Sequence, residues 1–274
     1  TINGLFNWSA GNWSASGSTT IADGATLNLL TANSKDINGR TVVNEGTINW
    51  NPGYIRGGSG ATFTNAAGAI FNDLNASGYT IHNPFGGTFV FVNDGTYIRN
   101  VGGTTYFDTT FNNNGTINLQ QGSIQIRQGG TMAATSVVNA DAGTNFYFTN
   151  NYTQLDGATF AGAGNFIQTG GTLVLDGVLK APAFNWSAGN WNAVAAAATI
   201  IDAGTTLNLV SASAKDFNYR SITNNGIVNW NLGYIRAGQG ATFTNAAGGT
   251  FNDLNSSGYT IHNPFGGSFV FIND

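Results

Sequence analysis

No cysteine occurs among the 274 residues, so no disulfide framework supports the fold and its stability has to come from packing. Charge is scarce too. Asp, Glu, Lys and Arg make up 8% of the chain against 41% hydrophobic residues, and the formal net charge is −4. With that balance, and with no basic patch interleaved with aromatics, nucleic acid is not expected as a partner. Apolar runs reach only a few residues, as in Phe89 to Val92, far short of a spanning helix, so no membrane insertion is expected. Good helix formers are rare: one Met, one Glu and three Lys. The alanine run from Ala195 to Ala198 is too short to hold a helix alone. Disorder does not fit either, because this hydrophobic content can bury a continuous core.

What the chain does have is repetition at two lengths. Residues 27–94 return as residues 207–274, 180 positions later, with roughly 70% of positions identical. Inside this long unit runs a shorter period, best seen in the glycines at 24, 46, 68, 95, 115, 157, 177, 204, 226 and 248. Each follows an apolar pair and an Asn or Asp, as in VVNEGTINW from Val42, FNNNGTINLQ from Phe111 and ITNNGIVNW from Ile222. A fixed short period is the signature of a stacked, one-dimensional protein.

The physics of one repeat follows from its alternation. In GTINW from Gly46, Ile48 and Trp50 point one way and Asn49 the other; in GTINLQ from Gly115, Ile117 and Leu119 share a face. Period-2 alternation of β-branched and aromatic residues makes strands with one buried side. Such strands cannot bury that side alone, but a next rung laid on top does so through parallel pairing. The expected fold is therefore all-β: a right-handed parallel β-helix, or β-solenoid, of about twelve rungs. At one inter-strand spacing per rung it forms a rod on the order of 55–60 Å long. Residues 1–274 read as one continuous solenoid, with 1–180 as the first copy of the long unit and 181–274 as a partial second copy.

Asn44, Asn65, Asn93, Asn113, Asn224, Asn245 and Asn273 recur at the end of a strand, next to the turn glycine. Asn tolerates the left-handed conformation and bonds to its own turn. On successive rungs the amides can bond to one another as a ladder. These seven are expected to be structural.

Rungs of the form VVNEGTINW and FNNNGTINL resemble those of bacterial secreted β-helix proteins, the autotransporter passengers and filamentous-haemagglutinin-like adhesins. The resemblance covers essentially the whole chain and implies export, display at the cell surface and an extracellular location. Neither end shows the polar cap that solenoids need, so a segment of a longer chain, or a subunit with covered ends, is expected. The expected partner is then the protein itself, end to end or as tandem units.

Asp156 and Asp176 are the candidate catalytic carboxylates. They stand one rung apart, near the separation of a retaining glycosidase pair, but both occupy LDG turns where Asp is a routine turn former. His82 and His262 occupy the same YTIHNPFGG position of the two copies, with no catalytic set in their sequence neighbourhood. Arg56 and Arg236 follow tyrosine in GYIR and read as a solvated rung edge. No enzyme activity, metal or cofactor is expected. Glycans are the expected alternative partner. Trp8 and Trp13 in NWSAGNW, with Trp186 and Trp191 in its second copy, are the candidate contacts, since an exposed indole stacks on a sugar ring. A regular threonine column of the ice-binding kind is hinted at by Thr47, Thr96 and Thr116. The overall expectation is a structural or adhesive segment of a long extracellular repeat protein. Its rivals are a glycan-binding module and a polysaccharide-cleaving β-helix.

Overall fold

The computed structural model describes all residues from Thr1 to Asp274. It contains strands of two to five residues and no helix, with every pairing between strands parallel. Successive strands visit three faces in turn, so three strands make one turn of a β-solenoid, and about twelve turns stack along the axis. Face one begins with Leu5–Trp8, face two with Gly11–Ser14 and face three with Ser18–Ile21. Face two is a single twelve-stranded sheet from one end to the other. Face one continues past Thr159–Ala161 through a bridge from Thr159 to Lys180, and face three past Leu173–Leu175 through Asn190. The segment from 120 to 160, poorly registered in the sequence, is in register here: Thr116 pairs with Val137, and Val137 with Thr159.

Alternation sets what is buried. In Thr47–Trp50 the side chains of Ile48 and Trp50 point inward, and the same pattern runs through Thr116–Leu119 and Val137–Ala140. The core is one continuous column from Trp8 to Phe243. Its middle is aromatic: Phe63, Phe71, Tyr97, Phe107 and Phe111 surround Phe91 with ring centroids 5.0 to 6.3 Å away. Stacked and edge-on pairs of this kind add to the stabilisation from area burial alone.

The recurring turn glycine has a packing cause. At Gly46 a Cβ would lie 2.4 Å from the carbonyl oxygen of Ala25, and at Gly226 it would lie 2.3 Å from that of Thr205. The turn of the rung below occupies the space a side chain would need. The neighbouring asparagines differ from expectation in one respect, since none of the seven takes a positive φ. Their side chains do the work instead. Asn44 Nδ2 donates to Asn65 Oδ1 at 2.7 Å, Asn65 to Asn93 at 2.8 Å and Asn93 to Asn113 at 2.7 Å. The same amide of Asn44 donates to the Ile70 carbonyl, and its Oδ1 accepts from Gly46 N–H. This chain of amides lies inside the solenoid on face three. A second set, Asn224, Asn245 and Asn273, bonds in the same way on face one.

A further ladder, not singled out from the sequence, runs on the outside. Asn28, Asn49 and Asn72 each donate to the asparagine one rung below, starting from Asn7. Water can replace these outer bonds and cannot reach the inner ones, so the two ladders differ in weight. Asn65→Ala should destabilise by about 1–3 kcal/mol, because it strips Asn93 Oδ1 of its donor inside the core. Asn49→Ala should stay within about 0.5 kcal/mol. Denaturant midpoints of the two variants, measured side by side, check this contrast.

The long unit does not close on itself. Leu5–Trp8 lies on face one, but its sequence equivalent Ala183–Trp186 lies on face two. Twenty-five strand steps separate the two, which is eight full turns and one strand more. The second copy is therefore turned by one face about the axis. Lys35–Asn38 sits on face two and its equivalent Lys215–Asn218 on face three; the inner asparagines move from face three to face one.

Candidate functional site

The sites expected from the sequence come out differently placed. Trp186 and Trp191 are buried, so the expectation that they contact glycan is corrected: they stack on each other at 4.2 Å, beneath neighbouring rungs. Trp191 Nε1 also donates to Gln168 Oε1 inside the core. Trp8 and Trp13 stack likewise at 3.8 Å, with Trp8 buried and only Trp13 half-exposed. The five-residue spacing brings the two indoles of each pair together across a turn, where they satisfy one another. Asp156 Oδ1 accepts from Val178 N–H of the next rung, and Asp176 pairs with the buried Arg220 at 3.1 Å. Each of these carboxylates thus has its own structural partner. Thr26, Thr47, Thr96, Thr116 and Thr159 do align on face one, but Ile70 and Val137 interrupt the column.

The residues that gather at the surface are others. On face two, Asp36 is in register with Arg56, Arg56 with His82, and His82 with Asp108. Arg127 closes the column with an ion pair to Asp108 at 2.9 Å. Arg56 grips Asp36 through two bonds, Nε to Oδ1 at 2.7 Å and Nη2 to Oδ2 at 2.8 Å. That pairing holds the Arg56 guanidinium above its ordinary range, chiefly through the hydrogen bonds to Asp36. Burial pushes the His82 imidazole below its ordinary value, so the ring is neutral at pH 7. Its Nδ1 lies 2.8 Å from Thr80 Oγ1.

A second column flanks the first. Thr80 pairs with Tyr106 and Tyr106 with Gln125, while Tyr54 stands exposed on the rung below Thr80. The Tyr54 ring meets Tyr79 edge-on at 4.8 Å and His82 edge-on at 5.2 Å. The Arg127 guanidinium covers Tyr106 at 4.7 Å, and Arg56 approaches the exposed Phe85 at 5.4 Å. Between the columns lies an open depression of about 580 Å³, lined by Tyr54, Arg56, Thr80, His82, Tyr106 and Arg127 among others.

No family model, no curated protein and no solved structure matches this chain. The site therefore has to be read from its own chemistry. The second copy rebuilds the lower half of it. Arg236 grips Asp216 through the same two bonds, and Tyr234 meets Tyr259 at 4.8 Å and His262 at 5.5 Å. Because of the one-face turn, this second patch lies on face three. In the sequence Arg56 and His82 stand twenty-six residues apart. The available signal was the rung period itself: residues one period apart with the same parity in their strands become neighbours.

Proposed function

We propose that the chain is a rigid structural segment of an exported bacterial surface protein, a rod whose length grows by tandem addition of the long unit. One observation carries this reading. The second copy continues the stack of the first without a break, through a face-two sheet that spans both copies. Eight rungs that merely stack do not need to be copied as a block, yet the block recurs with its non-core residues in place. The resemblance of the rungs to secreted β-helix adhesins supports an extracellular location, and a stack stabilised along its whole length needs no disulfide. Stacking also explains how so little charge suffices, since strand edges pair with the next rung instead of facing water.

The experiment is a measurement of length. A chain extended by one further unit of 180 residues should gain about 40 Å, eight and a third rung spacings, at unchanged cross-section. Small-angle scattering reads both quantities. A gain in cross-section, or a second compact body beside the first, would defeat the reading. Electron micrographs of the purified protein test the end-to-end association that belongs to it; short rods that stay dispersed at every concentration count against that part.

A further inference from the structure

The patch on face two recurs as a surface. Between the copies some buried residues change, Ile37 to Phe217, Val42 to Ile222 and Ile48 to Val228, while most of the core, Trp50, Phe63, Phe71 and Phe91 among it, is kept. The outward set is kept too: Asp36, Tyr54, Arg56, Tyr79, Thr80, His82 and Phe85 all recur 180 positions on. Their mutual geometry recurs as well, although the second patch sits on a different face. Core packing accounts for the first group and not for the exposed Tyr54 and Phe85.

The chemistry of that surface limits what it fits. Asp36 offsets Arg56 and Asp108 offsets Arg127, each at ion-pair distance, and His82 between them is neutral. A charged ligand finds no uncompensated partner there. What remains is a line of fixed donors and acceptors, the guanidinium hydrogens turned away from their carboxylates and the outer lone pairs of those carboxylates. Beside them stand the Tyr54 ring and the hydroxyls of Tyr106 and Thr80. Aromatic rings next to forked, prepositioned hydrogen-bonding groups suit a molecule with apolar C–H faces and hydroxyl edges. From Asp36 to Arg127 the charged column spans four rung steps, about 19 Å, with one set of groups per step. That repeat is close to the length of one pyranose residue in an extended chain.

We propose that face two binds an uncharged oligosaccharide lying along the rod axis, from Tyr54 across His82 to Tyr106 and Arg127. The complete site needs the upper wall of Tyr106, Asp108 and Arg127. Within residues 1–274 the patch at Tyr234, Arg236 and His262 lacks these three groups, so one site is expected in a titration of these residues.

The test is calorimetric titration of the intact chain with four uncharged hexasaccharides, from cellulose, xylan, mannan and chitin. Oligogalacturonate serves as the anionic comparison. The expected result is one-to-one binding of at least one uncharged probe, with affinity unchanged between about 0.05 and 0.5 M salt. Tyr54→Ala and Arg127→Ala should each weaken it about tenfold or more, whereas Tyr234→Ala should change it less than about twofold. All three positions are exposed, and thermal midpoints will show that the variants fold. No binding by any uncharged probe at roughly 5 mM overturns the proposal. So does preferential binding of oligogalacturonate that falls with salt, or equal loss from Tyr54→Ala and Tyr234→Ala. None of these outcomes bears on the rod, whose test is its length.

Discussion

Asp73→Ala is expected to destabilise the rungs around it by about 3–5 kcal/mol, because it leaves Arg99 charged and unpaired inside the solenoid. Both side chains are fully buried and lie 2.9 Å apart. Asp73 Oδ2 also accepts from the Tyr97 hydroxyl at 2.7 Å and from Thr105, and Oδ1 accepts from Asn75 N–H. Arg99 also donates to the carbonyls of Asn75 and Gly102 and to Thr105, while its Nε has no partner. Asp73 supplies the buried countercharge, so removing it alone is far worse than removing the pair. The double variant Asp73→Leu with Arg99→Leu should recover most of the loss, since apolar residues of similar volume replace buried ion pairs at little cost. Hydrogen exchange across Ile70–Asp73 and Thr96–Arg99 will localise the effect to these rungs. Equal destabilisation by the single and double variants would show that the ion pair is not what matters. Asp253, the copy of Asp73, is exposed and has no such network around it, so Asp253→Ala should cost under about 0.5 kcal/mol.

The second large effect lies at Phe91. Truncation to alanine should cost about 3–5 kcal/mol, the range for a buried aromatic whose surroundings relax only in part. The ring stacks on Phe63 at 5.0 Å with planes 6° apart, and packs edge-on against Phe71, Tyr97 and Phe107. Phe91→Leu should lose less, because much of the volume stays. Phe271 is the same residue one long unit later. It stacks on Phe243 at 5.2 Å, meets Phe251 edge-on at 5.1 Å and is only half-buried. Phe271→Ala should therefore cost less than half as much as Phe91→Ala. Denaturant unfolding of the two variants makes the comparison, and equal losses would contradict the stacked core described above.

Much of the local structure was legible from residue patterns. Ile48 and Trp50 could be placed inside and Asn49 outside because a strand has a strict period of two, and no tertiary contact can change that parity. Burial of six of the seven asparagines, all but Asn273, was less accessible. They stand at strand ends next to turns, where polar residues usually face water, and only the stacked amide bonds make their burial tolerable. The tryptophan pairs misled for a related reason. NWSAGNW looks like two exposed indoles, and their mutual stacking at 4.2 Å in the second copy depends on how the turn between them folds back. Lys35 and Lys215 show the same limit. Nothing in KDIN or KDFN announces that the ammonium turns inward, yet Lys35 Nζ donates to the carbonyls of Thr31 and Asn33 at 2.7 Å, and Lys215 Nζ to that of Ser213 at 2.7 Å. Burial pushes Lys215 down to about 8, while the carbonyls around it favour the charged form.

The sequence by itself determined the rung. Alternation, turn glycines and a short period are local properties, and a repeating local unit that cannot bury its own apolar side must stack. What the tertiary structure alone decided is which rungs face which way. Twenty-five strand steps per long unit do not divide by the three faces of the solenoid, so a near-identical sequence is turned by one face in its second copy. That remainder depends on how many strands the chain forms over the whole unit, a sum over every turn and bulge that no single window of residues contains. It places Tyr54, Arg56 and His82 on face two, and their copies Tyr234, Arg236 and His262 on face three.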